Sequence, residues 1–342
     1  MRAFAFLLAA LLATSACAGD EPAEIQVRWR HTRDRPVAPP ALGPEDRVIV
    51  FERENPAQFQ IIDSTGFELE GPYDTFPTLH APAVVGTNIY IVTSIGRIVH
   101  TDLAGQDLAA PDVMLGATAP IVAAADGTLR VAATSGRLIA FDDAGTILFD
   151  VNVGGATDTA PAVSEDGVTY VATDTGSLVG YDIAGDKVFD ETLVGQGSGP
   201  SARGQTIAVG DADGVKAFSA NGEVIFDHPR AARVTGTRIL ANGDILAWGE
   251  DGAVELLDAS GAVKSSYVAG PPIYVPVIEI DEDLAVIDDD GIAHRVGRDG
   301  VGRATFDLGG KAGRHLVVGE TIAYVMVAVG NEVLAVDFFF GG

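Results

Sequence analysis

Val168-Thr169-Tyr170-Val171-Ala172-Thr173-Asp174-Thr175-Gly176-Ser177-Leu178-Val179-Gly180-Tyr181-Asp182-Ile183-Ala184-Gly185 holds two short runs rich in β-branched and aromatic residues. Each run ends in a turn containing Asp and Gly, the pattern of two hairpin-linked strands. Its second half returns at Gly136–Gly145, and with substitutions at Gly96–Gly105, Gly214–Gly222, Gly252–Gly261 and Gly291–Gly300. A weaker copy ends at Gly66 and a last one opens at Asn331. The position of its Asp runs Asp63, Asp102, Asp142, Asp182, Ser219, Asp258, Gly297 and Asp337, at intervals of 37 to 40 residues. Eight units at a near-constant period mean a repeat architecture.

Strand signals choose the kind of repeat. A Pro-led apolar segment opens most units (Ala81-Pro82-Ala83-Val84, Ala119-Pro120-Ile121-Val122, Ala160-Pro161-Ala162-Val163), and a segment such as Thr146-Ile147-Leu148-Phe149-Asp150 closes them. No sustained 3.6-residue periodicity appears after the first 24 residues, which excludes a helical solenoid. Four short strands per unit describe a propeller blade, so the fold class is all-β, an eight-bladed β-propeller of four-stranded blades. The repeated Asp-x-x-Gly is read as turn chemistry: the carboxylate accepts backbone N–H groups and Gly takes a positive φ.

The chain has 342 residues, 22 Lys+Arg against 48 Asp+Glu and a net charge of −26. Such a surface repels phosphate backbones, which excludes nucleic acid as a partner. With 47% hydrophobic residues the chain can bury a core and is not disordered.

Met1-Arg2 followed by the apolar run Ala3 to Ala13 reads as a secretory signal peptide over residues 1–18, too short to span a bilayer. Small residues before Cys17, the only Cys, resemble a bacterial lipobox, so an acylated Cys17 is the expected mature N-terminus. Thr14 stands where lipoboxes usually carry Leu, and Ala16-Cys17-Ala18 also fits cleavage after Ala18. The two readings give a lipoprotein on the periplasmic face of the outer membrane, or a secreted or periplasmic protein. Residues 19–24 are a short tether and 25–342 the single propeller domain.

The pattern P-x-V…T-x-Y-V-x-T…G-x-L-x-A-x-D-x-x-G, from Pro161 to Gly185 and from Pro120 to Gly145, resembles the PQQ-type β-propeller repeat. That family includes quinoprotein dehydrogenases and the propeller lipoprotein of the outer-membrane β-barrel assembly machinery. An enzyme of the family would need a quinone, a calcium ion and a catalytic carboxylate, and its relatives carry a Trp in each repeat and often a vicinal disulfide. Here Trp29 and Trp248 are the only tryptophans, and Phe149, Phe189 and Phe226 hold the Trp place as inter-blade packing residues. No catalytic, cofactor-binding or metal-binding residue is expected, and no cofactor. The six histidines show no ligand spacing, and Asp288-Asp289-Asp290-Gly291 fails the calcium-loop register.

Two charge features stand out. The turn before the repeated phrase is Ser94-Ile95-Gly96 and Thr134-Ser135-Gly136 in units two and three, but acidic in the next four. Asp174, Asp211, Asp213, Glu250, Asp251, Asp288, Asp289 and Asp290 would form an acidic arc on one face, a candidate contact surface for a basic partner. Ordinary Asp-Gly hairpin chemistry is the competing reading. Arg28, Arg30, Arg33 and Arg35 are the opposite feature. Pairing with acidic neighbours at the blade edge is expected of them, with anionic headgroups as the alternative.

Unit eight stops soon after Asp337 without its outer strand, while Ile25-Gln26-Val27-Arg28-Trp29-Arg30 is an orphan resembling that strand. It is predicted to close the last blade and cover an open edge. The function implied is a monomeric, non-catalytic scaffold for another envelope protein, touching membrane only through its lipid; a small quinone-dependent dehydrogenase or ligand-binding propeller is the alternative.

Overall fold

The computed structural model describes residues 24–116, 118–280, 282–318 and 324–340. The signal peptide and Cys17 lie outside the described residues. Eight antiparallel sheets form eight blades in a ring, and the one helical element described is a 3-10 turn, Pro44–Asp46. Blade four carries the Val168–Gly185 stretch: it has an inner strand Ala162–Val163, middle strands Thr169–Ala172 and Ser177–Tyr181, and an outer strand Lys187–Thr192. Tyr170 pairs with Gly180 across the middle of that sheet.

Burial follows from position in the blade. Thr169–Ala172 is buried throughout, because a neighbouring blade covers each face. The outer strand alternates, burying Phe189 and exposing Lys187, Val188 and Asp190. Eight apolar clusters result, one for each pair of neighbouring blades. The cluster of Val48, Val50 and Ile62 with Val333 and Ala335 joins blade one to blade eight. The core is therefore a ring of inter-blade seams.

The repeated turn has two mechanical roles. Asp182 Oδ1 accepts the N–H groups of Ala184 and Asp186, both at 2.9 Å, closing the hairpin between the third and outer strands. Gly185 then takes φ +85°, and a Cβ there would stand 2.7 Å from the Cβ of Phe149 in the preceding blade. The Gly is needed both for backbone shape and to seat the aromatic of the blade before it.

Closure follows the sequence reading. Strand Glu24–Thr32 pairs antiparallel with Glu332–Phe340 as the outer member of blade eight, with Trp29 opposite Ala335. Trp29 does for blade one what Phe149 does for blade four: a Cβ on Gly66 would stand 2.9 Å from its ring. Its Nε1–H donates to the Ser64 carbonyl at 2.8 Å.

Blade two departs from the four-stranded expectation, with three strands, Ala83–Val85, Asn88–Val92 and Ile98–Asp102. The fourth position holds only the bridges Thr101 to Asp107 and Arg97 to Met114. Between them run Leu108-Ala109-Ala110-Pro111-Asp112-Val113, with a single β-branched residue, Val113, and a Pro that cannot donate to a ladder.

Candidate interaction face and central channel

Blade geometry divides the loops between two faces. Turns between second and third strands share one face with the connectors between blades, to which they bond: Ser94 N–H to Pro77 O, Asp174 N–H to Ala156 O, Asp289 N–H to Pro272 O. We call this the upper face; the Asp-x-x-Gly turns lie on the lower one. All eight acids of the arc sit in upper-face turns.

Most of those carboxylates are engaged within the protein. Asp174 Oδ1 accepts the Ala156 N–H at 2.9 Å, tying its turn to the preceding connector. Asp211 is buried; its carboxylate takes the Val194 N–H at 2.9 Å, Lys216 Nζ at 2.8 Å and the N–H groups of Asp213 and Gly214. Glu250 lies 3.6 Å from Arg233, and Asp251 accepts from Arg230 at 2.7 Å. Asp288 is buried, accepts two backbone N–H groups and stands 3.0 Å from His294 Nε2, whose Nδ1 is 3.1 Å from Tyr267 Oη. Asp289 meets Lys311 Nζ at 2.5 Å. Asp213 and Asp290 are exposed; neither carboxylate makes a hydrogen bond or close ion pair among the described residues, though the Asp290 charge acts on Lys311. The arc is thus a braid of inter-blade ties with a thinner set of acids, Asp174, Asp213, Glu250, Asp251 and Asp290, open to solvent. A run of acids in sequence does not reveal which of them lie over a backbone N–H.

Asp211 carries a testable consequence. Burial alone would raise its carboxyl, but the Lys216 ammonium and the Val194 and Asp213 N–H groups outweigh burial and hold it below the usual range. A carboxyl depressed in the folded state stabilises above its unfolded pKa, and that stability is lost as pH falls through the folded one. Asp211→Asn, which strands Lys216, costs about 3 kcal/mol at pH 7. In urea titrations the gap between variant and parent narrows as pH drops below about 4; an unchanged gap refutes the assignment.

The four arginines of the N-terminal strand region are all ion-paired. Arg28 meets Asp337 and Arg30 meets Glu332 at 2.9 Å, while Arg33 at 3.1 Å and Arg35 at 3.7 Å share the buried Glu52. No group of three or more His, Cys, Asp or Glu suited to a metal occurs among the described residues.

A feature absent from the sequence reading lies on the ring axis. Inner strands of all eight blades surround a channel of about 1130 Å³. Pro39, Pro120, Pro161, Pro200 and Pro276 line it, which explains the Pro-led segments: an inner strand has one unpaired edge, and Pro puts no orphan N–H there. Its charged lining is Arg53, Arg203, Arg233, Arg238 and Lys311 against the single acid Asp158, in a protein of net charge −26. These cations come one or two to a blade, each at a strand end or turn, so no local cluster announces them.

Residues 105–264 match the family model of the outer membrane protein assembly factor BamB. With the eight-bladed ring, that match supports PQQ-type propeller repeats in the units it covers. No curated protein matches the chain in sequence. Among solved structures, the computationally designed Ika8 protein is 14% identical, with TM-score 0.76, over 89% of this chain and 96% of its own. Sqt1 from Chaetomium thermophilum is 18% identical, with TM-score 0.74, over 90% and 98%. The C-terminal WD40 domain of Sif2 is 13% identical, with TM-score 0.73, over 92% and 98%. At these identities the likeness is one of fold.

Proposed function

We propose that this PQQ-type propeller is an exported, lipid-anchored scaffold that presents its upper face to a basic region of another envelope protein. The match to an assembly-factor model over residues 105–264 carries the reading, because Asp174, Asp213, Glu250 and Asp251 fall inside that stretch. Export and acylation at Cys17 rest on the signal-like N-terminus. A ring braced by inter-blade ties offers a rigid platform, and solvent-facing acids steer a basic partner and exclude an acidic one. The alternative, a quinone-dependent dehydrogenase, replaces this reading if purified protein binds a quinone stoichiometrically and turns over an alcohol with a dye acceptor.

A photo-crosslinker at Asp213, read by mass spectrometry in the native envelope, captures one reproducible protein. Capture fails when Glu250, Asp251 and Asp290 are reversed to Lys. Capture that survives the reversal refutes the face. In the same strain the native protein is heavier than Cys17→Ser by its acyl chains; equal processing of both means simple secretion.

A further inference from the structure

Ion pairing accounts for most cations of the described residues, as 48 acids against 22 bases make easy. Arg97 lies over the Phe76 ring and Arg130 bonds two threonines. The guanidinium groups of Arg53, Arg203 and Arg238 have no hydrogen-bond, ion-pair or aromatic partner among the described residues, and all three line the central channel. Their isolation is a property of the site. The lone acid of the lining, Asp158, accepts from Gln196 Nε2 at 3.1 Å.

Arg203 and Arg238 belong to blades whose inner strands touch directly. Gly199 bridges Gly236 in parallel, and Ser201 Oγ accepts the Ile239 N–H at 3.0 Å. Both arginines stand toward the lower-face ends of those strands, Ser201–Arg203 and Val234–Ile239. Arg53 lies in the turn between the second and third strands of blade one, at the upper mouth. Arg238 is reached by solvent along the channel yet walled by protein. Burial first, and the Arg203 charge second, lower its pKa. Two like charges held together in a walled, acid-poor channel are electrostatically unfavourable unless an anion joins them.

We propose that the channel is a binding site for a small oxyanion carrying two or more carboxylate or phosphate groups, gripped by Arg203 and Arg238, with Arg53 adding positive charge at the opposite mouth. The guanidinium fork matches both groups bidentately, and the channel walls strengthen the contact relative to open water. A volume of about 1130 Å³ admits a metabolite-sized ligand. The net charge of −26 repels polyanions from the exterior, so the site selects small ligands over polymers. This site is independent of the scaffold reading: the partner is captured whether or not the channel is filled.

The test is titration calorimetry of the mature protein with citrate and with pyrophosphate, which separate carboxylate from phosphate preference. At least one binds one-to-one, and Arg203→Gln with Arg238→Gln weakens it by about tenfold or more. Arg137→Gln, a surface cation paired with Asp150 at 2.5 Å, leaves the affinity unchanged. Without anion the double variant melts no lower than the parent, because it removes a like-charged pair, and the bound anion raises only the parent's melting temperature. Three results overturn the proposal: no binding of either probe below about 10 mM, equal affinity in the double variant, or a double variant that melts several degrees low in anion-free buffer.

Discussion

A mature chain lacking residues 19–34 melts about 10 °C or more below the parent. The missing strand takes with it Ile25 and Val27, packed in the seam between blades seven and eight, and Trp29, packed in the seam between blades eight and one. Each such side chain contributes about 1.5–3 kcal/mol, together on the order of 5 kcal/mol, which for a domain of this size is about 2 °C per kcal/mol. Strand Glu332–Phe340 loses its outer partner, so the truncated chain also aggregates through an open edge. Circular dichroism melts of the two chains decide it, with the 24–34 peptide added in trans restoring part of the loss. Identical melting curves refute closure by this strand.

Arg130→Ala destabilises by about 3 kcal/mol or more, whereas Arg130→Met costs less than half as much. Arg130 is 1% exposed and the largest of the fully buried side chains. Its Nε donates to Thr169 Oγ1 across to blade four at 3.0 Å, and its Nη1 to Thr128 Oγ1 at 2.8 Å and the Leu129 carbonyl at 3.1 Å. The guanidinium also lies 5.5 Å over the Phe149 ring. Burial lowers its pKa, and Asp126 offsets part of that. Both variants take the Arg130 donor from the Thr169 hydroxyl, whereas Thr128 keeps its bond to Asp126; alanine also leaves a large void, while methionine fills much of the volume and removes the cost of a desolvated charge. Urea unfolding of both variants measures the contrast. Equal losses would mean that the hydrogen bonds, and not the filled volume, hold this seam.

The ring was legible because each unit repeats one physical solution: Asp to close a turn, Gly to seat the previous aromatic, Pro on an inner edge. Even the closing strand could be read, since Trp29 occupies the place that Phe149 and Phe189 hold elsewhere. Blade two was not legible, because its marker Asp102-Leu103-Ala104-Gly105 is intact and only the segment after it fails to pair. The division of the acidic arc into buried ties and solvent-facing acids was hidden as well. Asp211 and Asp213 are two residues apart, yet one meets Lys216 and the other meets water. The channel arginines left no trace in sequence because Arg53, Arg203 and Arg238 lie far apart along the chain and only the ring brings them to one channel.

Pairing Glu24–Thr32 with Glu332–Phe340 also sets a clock. Thr32 and Glu332 are 300 positions apart, so the first segment to leave the ribosome waits for the last before it finds its partner. Blades one to seven can form in order as the chain emerges, each seam completed by the next arrival, but the two ends stay as bare edges throughout. The interval between synthesis of residue 24 and residue 340 is therefore the period of greatest exposure to mispairing, and a holding factor that covers a strand edge would act then.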